Sequence, residues 1–254
     1  MKTTKENIVI KKLFKLKNPI KAKILAGFFK TGKGEYGEGD IFWGITVPEQ
    51  RRVAKEFVNG DEGDVLQDTK KQNIKDVFDD LIKSPVHECR LTGLLILTYE
   101  FAKAKTEKEK KWIFDLYMKN LKHINNWDLV DVTSSQIVGG YLLNKDTKTK
   151  DVLIKLAKSK VLWEKRIALI STFCFIRHND FDYTLKICEM FLNDTHDLIH
   201  KATGWMLREV GKRDEKIMRK FLETHKGKIP RTALRYAIER LDSKSREYYM
   251  KLCK

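Results

Sequence analysis

The chain has 254 residues, with 51 Lys and Arg against 35 Asp and Glu, so its formal net charge is +16. That length suits one large domain or two small ones, and an apolar content of 42% with only four prolines excludes a wholly disordered chain. No apolar run approaches the roughly eighteen residues of a membrane span, and the basic N-terminus lacks the apolar segment of a secretory signal. The excess of positive charge predicts a polyanionic partner.

The cysteines and histidines predict neither a disulfide framework nor a metal site. The four cysteines are scattered (Cys89, Cys174, Cys188 and Cys253) and form no CxxC motif, which indicates reduced, mostly buried thiols in a cytoplasmic protein. His196 and His200 are spaced i, i+4, but no Glu lies between them and no third ligand is evident. We therefore predict no metal site.

Helical spacing of apolar residues runs through nearly the whole chain, which predicts an all-α fold. One or two N-terminal helices are expected between Ile8 and Phe28, interrupted near Asn18-Pro19, and the glycine-rich stretch 31–40 predicts an inserted loop. A helix is expected from Val47-Pro48 to about residue 57, followed by a second loop over 59–64. Further helices are predicted over 71–82, 86–103, 107–121, 127–142, 147–157, 162–177, 181–192, 196–211, 214–223 and 230–240.

A repeated pattern refines this prediction. Four segments (86–101, 161–176, 198–212 and 229–241) each combine a polar or basic opening with an apolar helix, and Arg90, Arg166, Lys201 and Arg231 occupy roughly equivalent positions. Units of roughly 30 to 40 residues are typical of HEAT-type helical repeats. We therefore expect a right-handed α-solenoid, built as one domain over 1–254, with a cation near the start of each helix that lines its concave groove. A globular helix bundle with chance charges remains the alternative.

Residues 1–33 contain ten Lys and a single acid, Glu6, which places +9 of the net charge there. Such a run fits either a solvated helix face or a face that contacts phosphates. Sequence alone leaves both open.

The segment NNWDLVD (125–131) contains the most distinctive candidate residues. Trp127 and Asp131 are four positions apart and share one helix face. An indole beside a carboxylate is a poor core pair, because the carboxylate needs a partner or water. As a site, the pair offers a π-face to a cation or sugar and a negative charge to a developing positive one. Arg166 follows Trp127 by 39 positions and Trp205 follows Arg166 by another 39, so adjacent repeats would bring them to one surface, although Trp205 also fits a core aromatic.

Three segments resemble the AlkD-like family of DNA alkylation repair glycosylases: NNWDLVD (125–131), LWEKRIALI (162–170) and HKATGWMLREVGK (200–212). FWGITVPEQRRVAKEF (42–57) is similar to a stretch near the start of that fold, and the resemblance covers about residues 20–241. It implies a HEAT-like solenoid that grips duplex DNA in a basic groove, as a monomer without membrane association. It also implies hydrolysis of the N-glycosidic bond of 3-methyladenine and 7-methylguanine, without a cofactor and with the lesion left in the base stack. The catalytic set it implies is Trp127, Asp131, Arg166 and Trp205.

These residue types fit that chemistry. An N3- or N7-alkylated purine is already a cationic leaving group, so it needs no general acid. A carboxylate at Asp131 would stabilise the positive charge that grows on the sugar and would orient the attacking water. Trp127 and Trp205 would lie against the deoxyribose and backbone. Arg166 would hold a phosphate or fix Asp131 as an ion pair. The cations expected to meet phosphates are Arg52, Lys165, Lys201, Arg208 and Arg213.

A non-catalytic HEAT-repeat module that binds nucleic acid or protein is the competing hypothesis, because solenoids often serve as scaffolds. Loss of Asp131 or of the tryptophans would have favoured it, and this chain retains all of them.

Overall fold

The computed structural model describes residues 7–60 and 73–252, and these are largely helical. Apart from one bridge between Ile41 and Val86, no β-pairing occurs among them. The all-α prediction is therefore confirmed. The chain divides into two compact units, Met1–Leu129 and Val130–Lys254.

The helices follow the predicted order closely. The first unit contains α1 (Ile8–Phe14), α2 (Pro19–Phe28), α3 (Val47–Asn59), α4 (Ile74–Ile82), α5 (His87–Lys103), α6 (Glu107–Lys119) and a 3₁₀ turn at Leu121–His123. Helix α7 (Trp127–Asp131) contains the boundary between the units. The second unit continues with a π-helical turn (Ser135–Gly139), α8 (Gly140–Leu142), α9 (Thr147–Ala157), α10 (Leu162–Ser171), α11 (Phe173–Arg177), α12 (Asp182–Met190), α13 (Asp197–Arg213), α14 (Glu215–Thr224), α15 (Arg231–Ala237) and α16 (Ser243–Leu252).

Capping residues set several of these boundaries. The Asn18 side chain accepts a hydrogen bond from the Lys21 N–H, and Pro19 occupies the first position of α2, so the predicted interruption separates two helices. Thr46 and Glu49 form a capping box at the start of α3. Gly60 ends that helix with φ of 68°, a left-handed conformation that favours glycine.

Two predicted helices are interrupted. The continuous helix expected over 127–142 is wrong: α7 ends at Asp131, and a π-helical turn precedes α8. The segment Val132-Thr133-Ser134-Ser135 has low helix propensity, and short polar side chains compete for backbone hydrogen bonds. The helix expected over 162–177 breaks at Thr172, whose hydroxyl donates to the Leu169 carbonyl over 2.7 Å.

In the first unit, α5 is the central helix. It packs against α3, α4 and α6, while α1 packs against α3. Because neighbours cover it on several sides, every residue from His87 to Thr98 is buried, including His87, Glu88 and Arg90. Three ionisable side chains at the start of a core helix require partners.

In the second unit, α13 occupies the corresponding position and packs against α10, α11, α12, α14 and α15. A Cβ on Gly204 would lie far inside the contact distance of the Ala233 carbonyl oxygen, so α13 and α15 approach closely because position 204 is glycine. Successive helices thus pack in pairs, and the prediction of an all-α array of helical repeats is confirmed.

Some predicted features fall partly or wholly outside residues 7–60 and 73–252. These are Cys253, most of the 59–64 loop, the first residues of the 71–82 helix, and Lys2 and Lys5 of the basic N-terminus. Within the described part of the chain, no helix combines the length and apolar character needed to cross a membrane.

Candidate active site and nucleic-acid interface

An ion pair between Asp131 and Arg166 lies at the start of the second unit. Asp131 closes α7, and Arg166 lies in the second turn of α10. The Arg166 Nε donates to Asp131 Oδ1 over 2.8 Å, and Nη2 donates to Oδ2 over 2.7 Å. This parallel arrangement is the strongest geometry for a guanidinium and a carboxylate. The helices α7 and α10 therefore fix both carboxylate oxygens of Asp131.

The environment of Arg166 decides which of its two predicted roles the structure supports. A third N–H group, on Nη1, donates to the Leu198 carbonyl over 2.5 Å, and the side chain is only 6% exposed. The Asp131 side chain is 14% exposed. Arg166 thus holds Asp131 from the buried side of the pair, and the Asp131 side chain is the more exposed of the two. Pairing with Asp131, rather than with a phosphate, is the role seen here.

Trp205 lies on α13, the helix whose Leu198 carbonyl binds Arg166. Its ring is partly exposed and lies at a tilt of 49° to Phe173, with 6.0 Å between ring centroids. The indole Nε1 donates to Glu209 Oε1 over 3.2 Å. Trp205 is therefore not a fully buried core residue, and it leaves part of an aromatic surface accessible.

Trp127, at the first position of α7, ends a column of aromatic rings in the first unit. It stacks on Phe29 with 5.1 Å between centroids and an interplanar angle of 11°, and Phe28 meets it edge-on at 5.8 Å. Phe29 in turn stacks on Phe42 at 5.0 Å. The indole is partly exposed, and this packing fixes the orientation of its ring.

A buried charged network supports the start of α7, and the sequence analysis missed it. His87 contacts Asp128 through Nε2 at 2.8 Å and Asp40 through Nδ1 at 3.1 Å. Arg90 donates to the other oxygen of Asp40 over 2.6 Å and to the Ser84 carbonyl. Asp40 closes the glycine-rich stretch 31–40, so that loop supplies one of the two carboxylates that hold His87. The sequence does carry a signal for this network, because three ionisable residues, His87, Glu88 and Arg90, lie in the first turn of an otherwise apolar core helix.

The network holds His87 and Asp40 in their charged forms. Burial alone would lower the pKa of His87, but the charges and hydrogen bonds of Asp128 and Asp40 raise it to about 9. Burial would raise the pKa of Asp40, but bonds to His87 and Arg90 lower it below its usual value. An imidazolium therefore bridges two carboxylates beside the helix that carries Trp127.

Glu88, the third ionisable residue of this turn, organises the chain before α3. Its carboxylate accepts hydrogen bonds from the N–H groups of Trp43, Gly44 and Ile45 at 2.7–3.2 Å. Gly44 has φ of 80°, and a Cβ there would collide with the Asn18 backbone. Successive N–H groups that converge on one anion require this turn, so Glu88 is structural.

The prediction of a row of available cations is wrong at two positions, Arg90 and Arg166, because both are buried. Arg90 and Arg166 were expected to contribute to a row of cations along a groove, but they are 3% and 5% exposed. Each binds one aspartate and one backbone carbonyl instead. The repeated cation is therefore structural at these two positions, whereas Arg231 is exposed and Lys201 is paired with Asp197 at 2.7 Å.

The five cations predicted to meet phosphates differ in their availability. Lys165 is paired with Asp194 at 2.6 Å, and its side chain is 26% exposed. Arg213 is exposed in the last turn of α13. The remaining three are Arg52, paired with Glu56; Lys201, paired with Asp197; and Arg208, paired with Glu239. The side chains of Arg52 and Lys201 are 56% and 41% exposed, whereas that of Arg208 is only 19% exposed and is less available. Exposed pairs contribute about 0–1 kcal/mol, so a phosphate can compete for Arg52 and Lys201.

His196 and His200 have other partners. His196 Nδ1 accepts a hydrogen bond from the Leu198 N–H and caps α13, while His200 Nε2 donates to the Asp194 carbonyl. In the described part of the chain, no group of three or more His, Cys, Asp or Glu is arranged to hold a metal ion.

Comparisons with known proteins identify the family. A solved structure described as a predicted DNA alkylation repair enzyme from Enterococcus faecalis shares the fold, with a TM-score of 0.66 at 16% identity, over 89% of this chain and 97% of that one. No curated protein matches the sequence. The family model for DNA alkylation repair enzymes matches residues 9–241. The chain therefore belongs to the DNA alkylation repair enzyme family.

Proposed function

We propose that this protein is a monofunctional DNA glycosylase that releases cationic N3- and N7-alkylated purines from duplex DNA. The single observation that carries the proposal is the Asp131 carboxylate, held at both oxygens by a buried arginine and still partly exposed. Family membership supports a role in DNA repair. The choice of glycosidic hydrolysis, and of these lesions, is what the resemblance to the AlkD-like glycosylases implies, and the residue types of Asp131, Arg166, Trp127 and Trp205 fit that chemistry.

The proposed reaction begins with the bond between sugar C1′ and the alkylated purine. As this bond breaks, its electron pair passes to the base and neutralises the base's positive charge. Positive charge then develops on the sugar, where the Asp131 carboxylate stabilises it. The oxygen of a water molecule adds to C1′, and the water loses a proton to Asp131 and then to solvent. The products are the free neutral purine and an abasic site, and no covalent enzyme intermediate forms.

Arg166 is proposed to orient Asp131 rather than to contact the substrate, because its N–H groups are directed at Asp131 and Leu198. Trp127 and Trp205 each offer a partly exposed indole. An aromatic face attracts a neighbouring cation by about 0.5–2 kcal/mol, so either ring suits a sugar on which positive charge is growing. Exposed lysines and arginines would hold the DNA through its phosphates, without sequence preference.

The proposal is tested by the identity of the released product. The protein is incubated with duplex DNA that contains 7-methylguanine or 3-methyladenine, and the free base and abasic strand are quantified by chromatography and mass spectrometry. We expect release of the alkylated base in equal amounts with abasic sites. Duplexes that contain uracil or hypoxanthine are the control, because those neutral bases are poor leaving groups. Release of the neutral bases at a similar rate, or of none of the four, would refute the proposal.

A further inference from the structure

The indole of Trp205 has a polar edge, and the proposed mechanism does not use the residue that binds it. The indole Nε1 donates to Glu209 Oε1 over 3.2 Å, one helical turn further along α13. The Glu209 side chain is only 11% exposed, and glutamates are seldom so buried without partners. The contacts of this carboxylate therefore bear on how Trp205 is held.

Two cations complete the surroundings of the Glu209 carboxylate. The Lys212 ammonium lies 2.7 Å from Oε1, and the Arg208 Nε lies 3.7 Å from the same oxygen. Hydrogen bonds to a charged acceptor are roughly twice as strong as those between neutral groups. The oxygen that accepts from the indole is thus held in place by its other partners.

A second contact restrains the ring of Trp205. Phe173 packs against it with 6.0 Å between centroids, and the guanidinium of Arg177 lies over Phe173 at 4.3 Å from its centroid. The χ2 torsion of tryptophan has broad, roughly two-fold minima, so packing against one neighbour does not decide where the N–H edge points. The hydrogen bond to Glu209 selects the orientation that is seen.

We propose that Glu209 is a positioning residue for Trp205 and holds the exposed part of the indole in the orientation that meets the sugar. This inference rests on the proposed glycosylase function. The attraction between an aromatic ring and a growing positive charge requires the face of the ring to point at that charge. Without the bond to Glu209, the ring of Trp205 would also adopt orientations that do not.

The alternative is that Glu209 merely forms a surface ion pair with Lys212. Surface pairs of this kind occur elsewhere in the second unit, where Glu215 pairs with Arg219 and Glu247 pairs with Lys251, and those two glutamates are 55% and 67% exposed. Glu209 differs from them in its low exposure and in the indole that it accepts from. These differences favour a role toward Trp205.

The first measurement follows the bond itself, in the full chain labelled with nitrogen-15 tryptophan. The five tryptophans give five indole N–H signals in a proton–nitrogen NMR spectrum, and Trp205→Phe identifies the signal of Trp205. Glu209→Leu should move that proton signal upfield, because the hydrogen bond to a carboxylate is lost. The other four signals should stay near their positions, which shows that the variant folds. Glu209→Gln should move the signal less, because its amide oxygen accepts the same bond.

The second measurement is the single-turnover rate of 7-methylguanine release at saturating enzyme. Glu209→Leu should lower the rate about tenfold, whereas the Kd for the same duplex should not rise, because the loss falls on the transition state. Glu209→Gln should restore the rate to within about threefold of the wild type, since the neutral acceptor still orients the ring.

Glu239→Leu is the matched control. Glu239 also pairs with Arg208, and its side chain is 51% exposed, so this change removes the same charge but keeps the partner of the indole. It should leave the Trp205 signal and the rate unchanged. An unmoved Trp205 signal or a wild-type rate in Glu209→Leu, or equal slowing in Glu239→Leu, would overturn the proposal. A wild type that released no base would refute the glycosylase proposal, and the indole signals would then decide by themselves whether Glu209 fixes Trp205.

Discussion

Replacement of Arg166 by Met tests whether the ion pair holds the candidate active site together. Arg166 is buried, donates two charge-assisted hydrogen bonds to Asp131, and donates a third bond to the Leu198 carbonyl. Met fills much of the same space but leaves the mostly buried carboxylate and the carbonyl without these donors. Removal of one partner of a buried pair typically costs about 3–5 kcal/mol. We expect the free energy of unfolding to fall by roughly this amount.

Arg166→Lys distinguishes charge from geometry. An ammonium restores the positive charge but cannot donate in parallel to both oxygens of Asp131. We expect a smaller loss, about 1–3 kcal/mol, together with slower base release because Asp131 is less firmly oriented. Arg213→Met, at an exposed position of α13, is the matched control and should change stability by no more than about 0.5 kcal/mol.

The assay is urea unfolding followed by far-UV circular dichroism, with each variant compared with the wild type at one pH and salt concentration. If Arg166→Met and Arg213→Met lost the same small amount of stability, the Asp131–Arg166 pair would not constrain the site as described, and the inferred orientation of the carboxylate would be wrong.

Three further predictions concern charge, packing and thiol reactivity. His87 has a pKa of about 9 in the fold against an ordinary value of 6.5, so the stability that it contributes is complete below pH 6.5 and is lost as the pH rises through 9. Urea titrations should show that the free energy of unfolding falls by up to about 3 kcal/mol over this pH range. An equally steep fall in the His87→Gln variant would contradict this. Gly204→Ala should cost about 1–3 kcal/mol because its Cβ would collide with the neighbouring helix. At Gly27 an added Cβ would face open space, so Gly27→Ala should raise the free energy of unfolding by about 0.5–1 kcal/mol. Thermal melts should show a lower Tm for Gly204→Ala and a higher Tm for Gly27→Ala. Burial raises the pKa of Cys89 to about 11 and that of Cys188 further still, so Ellman's reagent should label neither until urea is added, and immediate labelling would contradict their burial.

Local signals predicted the helices and their starts with good accuracy. Asn18-Pro19 and Val47-Pro48 are capping patterns whose effect does not depend on the rest of the chain, and each begins a helix where expected. The prediction of a continuous helix over 127–142 was wrong. The apolar residues there have helical spacing, but the backbone conformation after Asp131 depends on short polar side chains that are buried. The helix over 243–252 is largely exposed and carries a weak apolar pattern, so periodicity gave no reason to expect it.

The candidate site was predictable in its residue types and not in its contacts. The helical spacing of Trp127 and Asp131 was readable in one segment. The partner of Asp131 lies 35 positions away, and the two carboxylates that hold His87 lie 47 and 41 positions away on either side. Such contacts form only when helices pack, so the sequence could offer Arg166 two roles but could not choose between them. The resemblance to a family supplied the chemistry that contacts alone do not define.

The central claim is that the Asp131 carboxylate drives base release, and the most direct measurement is the single-turnover rate of 7-methylguanine release by wild type and Asp131→Asn. Asn has nearly the same shape but no charge to stabilise the developing cation. We expect the rate to fall at least about a hundredfold while affinity for the same duplex is retained. Asp182→Asn, at an exposed position of the second unit, should release the base at the wild-type rate. Equal rates for wild type and Asp131→Asn would contradict the account.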